Sequence, residues 1–321
     1  MRARRAGNAL SDSKITWPEG KQFAFTVFDD TDLATLNNVG GVYAFLSDCG
    51  FRTTKSCWPV AGDPDKGKGW GETCDDRDYL RWMLDLQAKG FEIAWHNSTW
   101  HGLHRKEILS AMERYAEIFQ QYPASAANHS EGEGIYWGDS RLTGIRARLY
   151  NLMTRNRNRD RFRGHVEGDE HFWGDLCKAH ITYYRNFVFR DINTLKCCRF
   201  MPYHDPQRPY VRYWFASSDG HNLQTFNRCL SERSQDRLER EGGACIMYAH
   251  FARGFAQDQG RLEPRFKQLA TRLSKKNGWF VPVKTLLDHL QKINGHHQIT
   301  DAQRQYLEWK WLREKLRVGT S

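Results

Sequence analysis

The run from Phe25 to Asp30, FTVFDD, decides how the chain is read. Phe, Thr, Val and Phe are strand formers, and here they lead straight into two adjacent carboxylates. Neighbouring negative charges repel and are costly to bury unless something positive stands beside them. If the run is a strand of a parallel α/β barrel, Asp29 and Asp30 lie at its carboxyl end, the end at which such barrels carry their active sites.

The sequence beyond this run has the alternation that such a barrel requires. Val39, Val42, Tyr43 and Leu46 recur at helical spacing, and Gly50 supplies a stop before the strand FRTTKSCWPV. Asp75 or Asp76 can cap a second helix with Leu80, Met83, Leu84 and Ala88 on its apolar side, and Gly90 closes it before the strand FEIAWH. A third helix starts at Arg105, carries Ile108, Leu109, Met112, Tyr115, Ala116, Phe119 and Tyr122 on one face and ends at Pro123, and SAANHS reads as the next strand. The pattern predicts an irregular parallel barrel over residues 21–293, behind an N-terminal segment 1–20. Gly-, Arg- and aromatic-rich text from 132 to 194 reads as a long insertion over one end of the barrel. LKCCRFM, VRYWFASS and ACIMYAHF read as later strands, with a helix from Asn222 to Arg240 between the last two, and WFVPVKTLLDHLQK reads as strand then helix. The end, 294–321, predicts an amphipathic docking helix with Tyr306, Trp309 and Leu312 on one side.

Composition narrows the classes. The 321 residues carry a formal charge of +10, and between Arg141 and Arg163 the arginines recur so often that Asp160 is the only acid. Such a segment suits phosphates, or it is a solvated face. No zinc finger or RNP-type aromatic motif accompanies it, so no nucleic-acid partner is expected. No stretch approaches the roughly 18 apolar residues of a membrane span. The first residues, MRARRAGNALSDSK, are basic with no apolar block behind them, which predicts a cytoplasmic protein. The eight cysteines form no C-x-x-C pair and read as reduced core residues.

The barrel logic also places His96 at the end of FEIAWH, with His101 five residues on. One aspartate and two neutral imidazoles fill three sites of a zinc-like divalent ion and leave a fourth for water. The other aspartate can then take a proton from that water. His250, which follows the apolar run of ACIMYAHF, can give a proton to a leaving group from the opposite side.

The order of these pieces resembles the NodB-homology polysaccharide deacetylases, carbohydrate esterase family 4. Val27-Phe28-Asp29-Asp30-Thr31 is similar to the family's T-F-D-D-G, and His96-Asn97-Ser98-Thr99-Trp100-His101 to its H-[ST]-x-x-H, one residue longer, with His104 as the fallback. Ser217-Ser218-Asp219 and Tyr248-Ala249-His250 match its fourth and fifth motifs. The third, R-x-P-[YF], has no match in its place in the chain, although RFMPY and Arg208-Pro209-Tyr210 carry similar residues later. Within the family the chain is similar to a divergent subgroup, the WbmS-like proteins of surface-polysaccharide synthesis. The resemblance implies a (β/α)7 barrel that removes an N-acyl group from an amino sugar or polysaccharide, with a phosphate-linked substrate suggested by the arginines. It implies that Asp29 is the base, that Asp30, His96 and His101 hold the metal, most simply Zn2+, and that His250 is the acid, oriented by Asp219. The competing reading is a catalytically inactive barrel that binds a glycan or a phosphorylated carrier.

Overall fold

The computed structural model describes residues 15–67, 69–129, 132–256 and 261–318. Most of the expected N-terminal segment, Ser130 at the end of SAANHS and the last three residues lie outside it. In chain order the elements are β1 (Phe23–Asp29), α1 (Leu36–Asp48), β2 (Thr54–Cys57), α2 (Arg77–Ala88), β3 (Glu92–Trp95), α3 (Arg105–Phe119), β4 (Ser125–Ala126), α4 (Ile145–Met153) and α5 (Gly174–His180). There follow β5 (Tyr183–Phe189), α6 (Thr194–Cys197), β6 (Tyr203–His204), β7 (Tyr213–Gly220), α7 (Leu223–Cys229), α8 (Glu232–Glu241) and β8 (Ala244–Ala249). The chain continues with α9 (Pro264–Ser274), β9 (Gly278–Trp279), α10 (Val283–Asn294), β10 (His297–Gln298) and α11 (Asp301–Val318).

Seven parallel strands close a ring in the order β1, β2, β3, β4, β5, β7, β8, with β8 returning to β1. The expected α/β barrel is therefore the fold, a (β/α)7 barrel of the NodB type. Its irregularity lies in strand length: β4 has two residues, whereas β1 and β5 have seven. Outside the ring, β6 runs antiparallel on β7, β10 pairs with β6, and β9 pairs with β1.

The structure departs from the sequence reading in four places. Tyr183–Phe189, inside the stretch 132–194, is a barrel strand, so the excursion between β4 and β5 is shorter than expected. Leu195 to Met201 forms no strand, because the Asn193 side chain accepts from Lys196 N at 3.1 Å and caps the short helix α6. The helix expected from Asn222 to Arg240 breaks into α7 and α8 around Leu230 and Ser231. The terminal helix is present as α11, but Leu307, Trp311 and Leu312 are its buried apolar residues, and Tyr306 is 55% exposed. Arg304, Glu308 and Lys315 share the buried side, so α11 docks largely through charge and apolar spacing does not mark its buried face. It lies across the carboxyl end of β5, with Trp311 on Phe187, Lys310 over Phe189 and Glu314 accepting from Arg190 N.

Among the described residues no helix is long and apolar enough to cross a membrane. All eight cysteines are free.

Candidate metal centre

Side chains alternate across a strand, so Phe28 and Asp29 at the end of β1 point opposite ways; Asp30 follows on the side of Phe28, and Asp32, in the turn after it, comes back to the same side, as the shared approach of both carboxylates to His96 Nε2 shows. Phe28 faces the barrel interior, packed against Phe215 and under Arg185. Asp29 turns outward to the helices. Its carboxylate accepts from Phe251 N at 2.7 Å and Tyr43 Oη at 2.9 Å, and lies 3.3 Å from the buried Lys55 ammonium. Burial pushes its pKa up, against the opposing effects of Lys55 and these hydrogen bonds.

Asp30 is held by a fork of two hydrogen bonds from Arg185 on β5, 2.7 Å from Nη1 and 2.5 Å from Nη2, and both residues are buried. The guanidinium lies over the rings of Phe28 and Tyr248, 5.1 and 4.2 Å from their centroids. Burial raises the Asp30 carboxyl, but the Arg185 charge and then His96 outweigh it, and the net pKa lies below the ordinary value. This is the positive partner that FTVFDD calls for.

Asp32, two residues further on, gathers three imidazoles. One oxygen is 2.9 Å from His129 Nδ1, and the other is 3.0 Å from His96 Nε2 and 3.3 Å from His250 Nε2. Burial raises the Asp32 carboxyl, yet the hydrogen bonds from His129, His250 and His96 take it well below the usual range. Each imidazole arrives from the carboxyl end of a different strand: His96 directly after β3, His129 after β4 and His250 directly after β8. His129 Nε2 donates to Trp100 O at 3.0 Å, which anchors the ring with Nδ1 toward Asp32; Nδ1 donates to that carboxylate, and an ion held there would take the place of this proton. His250 Nδ1 likewise donates to His221 O at 2.8 Å, turning Nε2 inward.

One carboxylate and two imidazoles, with ligand atoms of Asp32, His96 and His129 all within 4.8 Å of one another, are a donor set suited to a divalent ion of the zinc type. The chemistry of the donors and the anchoring of the His129 ring through its Nε2 both fit such an ion. Asp30, Asp32 and His250 form an overlapping group on the same criterion.

Several of the expected residues stand elsewhere. His101 does not reach this cluster: its Nε2 accepts from Asp63 N at 2.8 Å and its Nδ1 donates to Gly102 O at 3.1 Å, so both ring nitrogens are engaged. His104, the fallback, caps α3 and faces Glu170 and His171 on the surface. Asp219 does not touch His250. It accepts from His221 Nδ1 at 2.8 Å, and the same residue's carbonyl holds His250, so its influence is one residue removed. The stretches RFMPY and Arg208-Pro209-Tyr210 do not supply the Asp30 partner; Arg208 is tied to Asp205 and Glu308. Asp32 and Arg185, which the sequence reading does not name, and His129, which it meets only in SAANHS, are brought into the cluster by the fold. Two signals could have found them: period-two spacing from Asp30 to Asp32, and a lone arginine inside the apolar run YYRNFVF.

The rim above the imidazoles is aromatic. Trp58 and Trp70 approach the His129 ring at 5.3 and 6.0 Å, and Trp70 is 40% exposed. Its backbone is clamped beside Asp32, with Leu33 N donating to Trp70 O at 2.6 Å. Gly71, at φ +122°, follows in a conformation that L side chains rarely adopt, and a Cβ there would meet Ala34 O at 2.7 Å.

No protein-family model and no curated protein matches the sequence. Solved structures do. A protein of Mycobacterium smegmatis classed as a polysaccharide deacetylase aligns over 90% of this chain and 97% of its own, at 11% identity and a TM-score of 0.50. The fold is that of the polysaccharide deacetylases. PuuE allantoinase aligns over 86% of this chain and 92% of its own at 13% identity and a TM-score of 0.47. WbmS of Bordetella bronchiseptica, classed as a polysaccharide deacetylase involved in O-antigen biosynthesis, aligns over 94% and 96% at 10% identity and a TM-score of 0.37. In this chain the cluster around Asp32 lies at the carboxyl ends of the barrel strands.

Proposed function

We propose that the protein is a metal-dependent hydrolase that removes an N-acyl group, most simply acetyl, from an amino sugar of a surface polysaccharide or its precursor. The observation that carries this reading is the convergence of Asp32, His96 and His129 with two further groups, the Asp30–Arg185 pair and His250. Asp32, His96 and His129 would hold the ion, most simply Zn2+, in place of the set Asp30, His96 and His101. When bound, the ion polarises the acyl carbonyl and acidifies water.

Asp30 then acts as the base in place of Asp29. Arg185 keeps it ionised near neutral pH, so it can accept a proton from the attacking water, whose oxygen forms the new bond to the acyl carbon. His250 Nε2 faces the same point and delivers a proton to the nitrogen as the C–N bond breaks, giving a free amine and a carboxylic acid. The His221 carbonyl fixes which His250 nitrogen does this, and Asp219 positions His221. Trp70 offers an exposed ring face at the rim, on which a sugar ring can stack. Free cysteines throughout suit a reducing compartment, consistent with action in the cytoplasm on a precursor.

Kinetics of two variants test the reading. Asp30→Asn and His250→Ala should each lose on the order of 10²–10⁴ in kcat for acetate release from N-acetylated amino sugars, the usual contribution of general acid–base groups. Unchanged kcat in both would reject the assignment in favour of a binding barrel.

A further inference from the structure

Arg141 is the first arginine of the basic run, and it is buried, with 5% exposure. Its guanidinium carbon lies 3.4 Å from the Trp137 ring centroid and 5.0 Å from that of Trp311 on α11. Ring contacts occupy a guanidinium's faces and leave its N–H edge to be satisfied by acceptors in its own plane. Among the described residues Arg141 Nε and Nη2 have no hydrogen-bond partner, and neither does Nε1 of Trp311, over whose ring the guanidinium lies.

The neighbouring carboxylates are already taken. Glu308 accepts from Arg146 Nε, Arg208 Nη2 and both donors of Thr143, and Asp205 accepts from Arg208 and Arg304. Asp30 is bound by the Arg185 fork. Arg141 is therefore a buried cation left over from a network in which the other arginines are paired, and leaving buried charge unpaired is costly. Burial, and then the nearby charges of Arg185 and Arg208, push its pKa down to about 9, so a negative group at its edge would be strongly favoured.

Arg141 lies near the candidate centre, close enough for the Arg185 charge to act on it. Trp311 packs on Phe187 at 5.7 Å, and Phe187 is two residues along β5 from Arg185, the partner of Asp30. We propose that Arg141, with Trp311 Nε1, forms a subsite for an anionic substituent of the substrate, a carboxylate or phosphate oxygen carried on the amino sugar. The assignment to substrate rests on the hydrolase reading; the anion site itself does not. It narrows the substrate class to acidic amino sugars, either uronate-type or glycosyl phosphates.

Tryptophan fluorescence reads the site directly, since Trp137 and Trp311 flank it. The full-length protein is titrated with sodium phosphate and, separately, sodium glucuronate, with glucose as the neutral control. At least one anion should give a saturable change that glucose does not, weakened about 10- to 100-fold in Arg141→Met, the range expected for lost charge-assisted hydrogen bonds. Trp311→Phe keeps the ring and removes the N–H, and should weaken binding less; it also keeps the test decisive if Arg141→Met fails to fold. Saturation by phosphate alone assigns a glycosyl phosphate, and by glucuronate alone a uronate. In turnover, Arg141→Met should raise KM for acidic N-acylated sugars by a similar factor, with kcat and the KM for neutral ones unchanged. No saturable change in the parent, or equal binding by both variants, overturns the site. Anion binding with no such KM difference makes it a structural anion site and overturns the substrate assignment. If no N-acylated sugar is hydrolysed, the hydrolase reading fails while the titration still decides whether the anion site exists.

Discussion

Replacing Arg185 by methionine isolates the pair at the heart of the site. Arg185 and Asp30 have side-chain exposures of 2% and 3%, and the fork joins them through two bonds. Methionine keeps much of the stem that packs on Phe28 and Tyr248 but leaves Asp30 buried with no guanidinium, and breaking a buried pair from one side costs about 3–5 kcal/mol. For a chain of this size that corresponds to a fall in Tm of roughly 4–8 °C. The pH dependence gives the signature. In the parent the Asp30 pKa is lowered, so the pair's contribution is present above the unfolded value of 3.8 and is lost as pH falls through the folded pKa. In Arg185→Met, burial acts on Asp30 without its main opponent, the folded pKa moves upward, and the variant loses stability as pH rises. The gap between parent and variant should therefore be widest near pH 7–8 and close toward about pH 4. Adding Asp30→Asn should restore much of the loss at neutral pH. Thermal melts followed by circular dichroism across that range read all of this. A variant whose gap is small, or is constant with pH, would refute the view that Arg185 compensates a buried Asp30 charge.

Three further outcomes follow from the same geometry. His129→Ala should lose bound metal while His101→Ala keeps it, because both His101 nitrogens are already bonded; elemental analysis of the two purified variants decides. Burial pushes the Glu133 carboxyl up to about 8, so the parent should lose stability on the order of a few kcal/mol as pH rises from about 4.5 to 8. Glu133→Gln should match the parent near pH 4.5 and exceed it at pH 8 and above; parallel pH profiles would contradict this. Trp70→Ala should raise KM for sugar substrates roughly 5- to 20-fold with kcat little changed, if its exposed ring is a stacking surface worth about 1–2 kcal/mol; a fall in kcat alone would assign it a different role.

Much of the barrel was legible because strands ending at Gly, Pro or polar clusters alternate with amphipathic helices from Phe23 to Phe119. Legibility fell where local pattern and tertiary role part company. Arg185 interrupts an apolar run, which by composition reads as insertion text; its place in a strand follows from a partner 155 residues away, Asp30. The carboxyl end of β1 was legible, but which carboxylates face the imidazoles depends on the face each side chain takes. Counting in twos from Phe28 selects Asp30 and Asp32, whereas motif spacing selects Asp29 and Asp30. His129 was hidden because β4 is two residues long and leaves little period to read. The buried face of α11 was obscured for the opposite reason, since it is held by Arg304, Glu308 and Lys315 as much as by Leu307 and Trp311.

The most direct test of the central claim is to measure bound metal and acetate release together in the parent, Asp32→Ala and Asp30→Asn, using an N-acetylated amino sugar. The account predicts one equivalent of divalent metal and acetate release in the parent. It predicts loss of both in Asp32→Ala, and metal retained without release in Asp30→Asn. Metal and activity both intact in Asp32→Ala, or metal lost from Asp30→Asn alone, would contradict it.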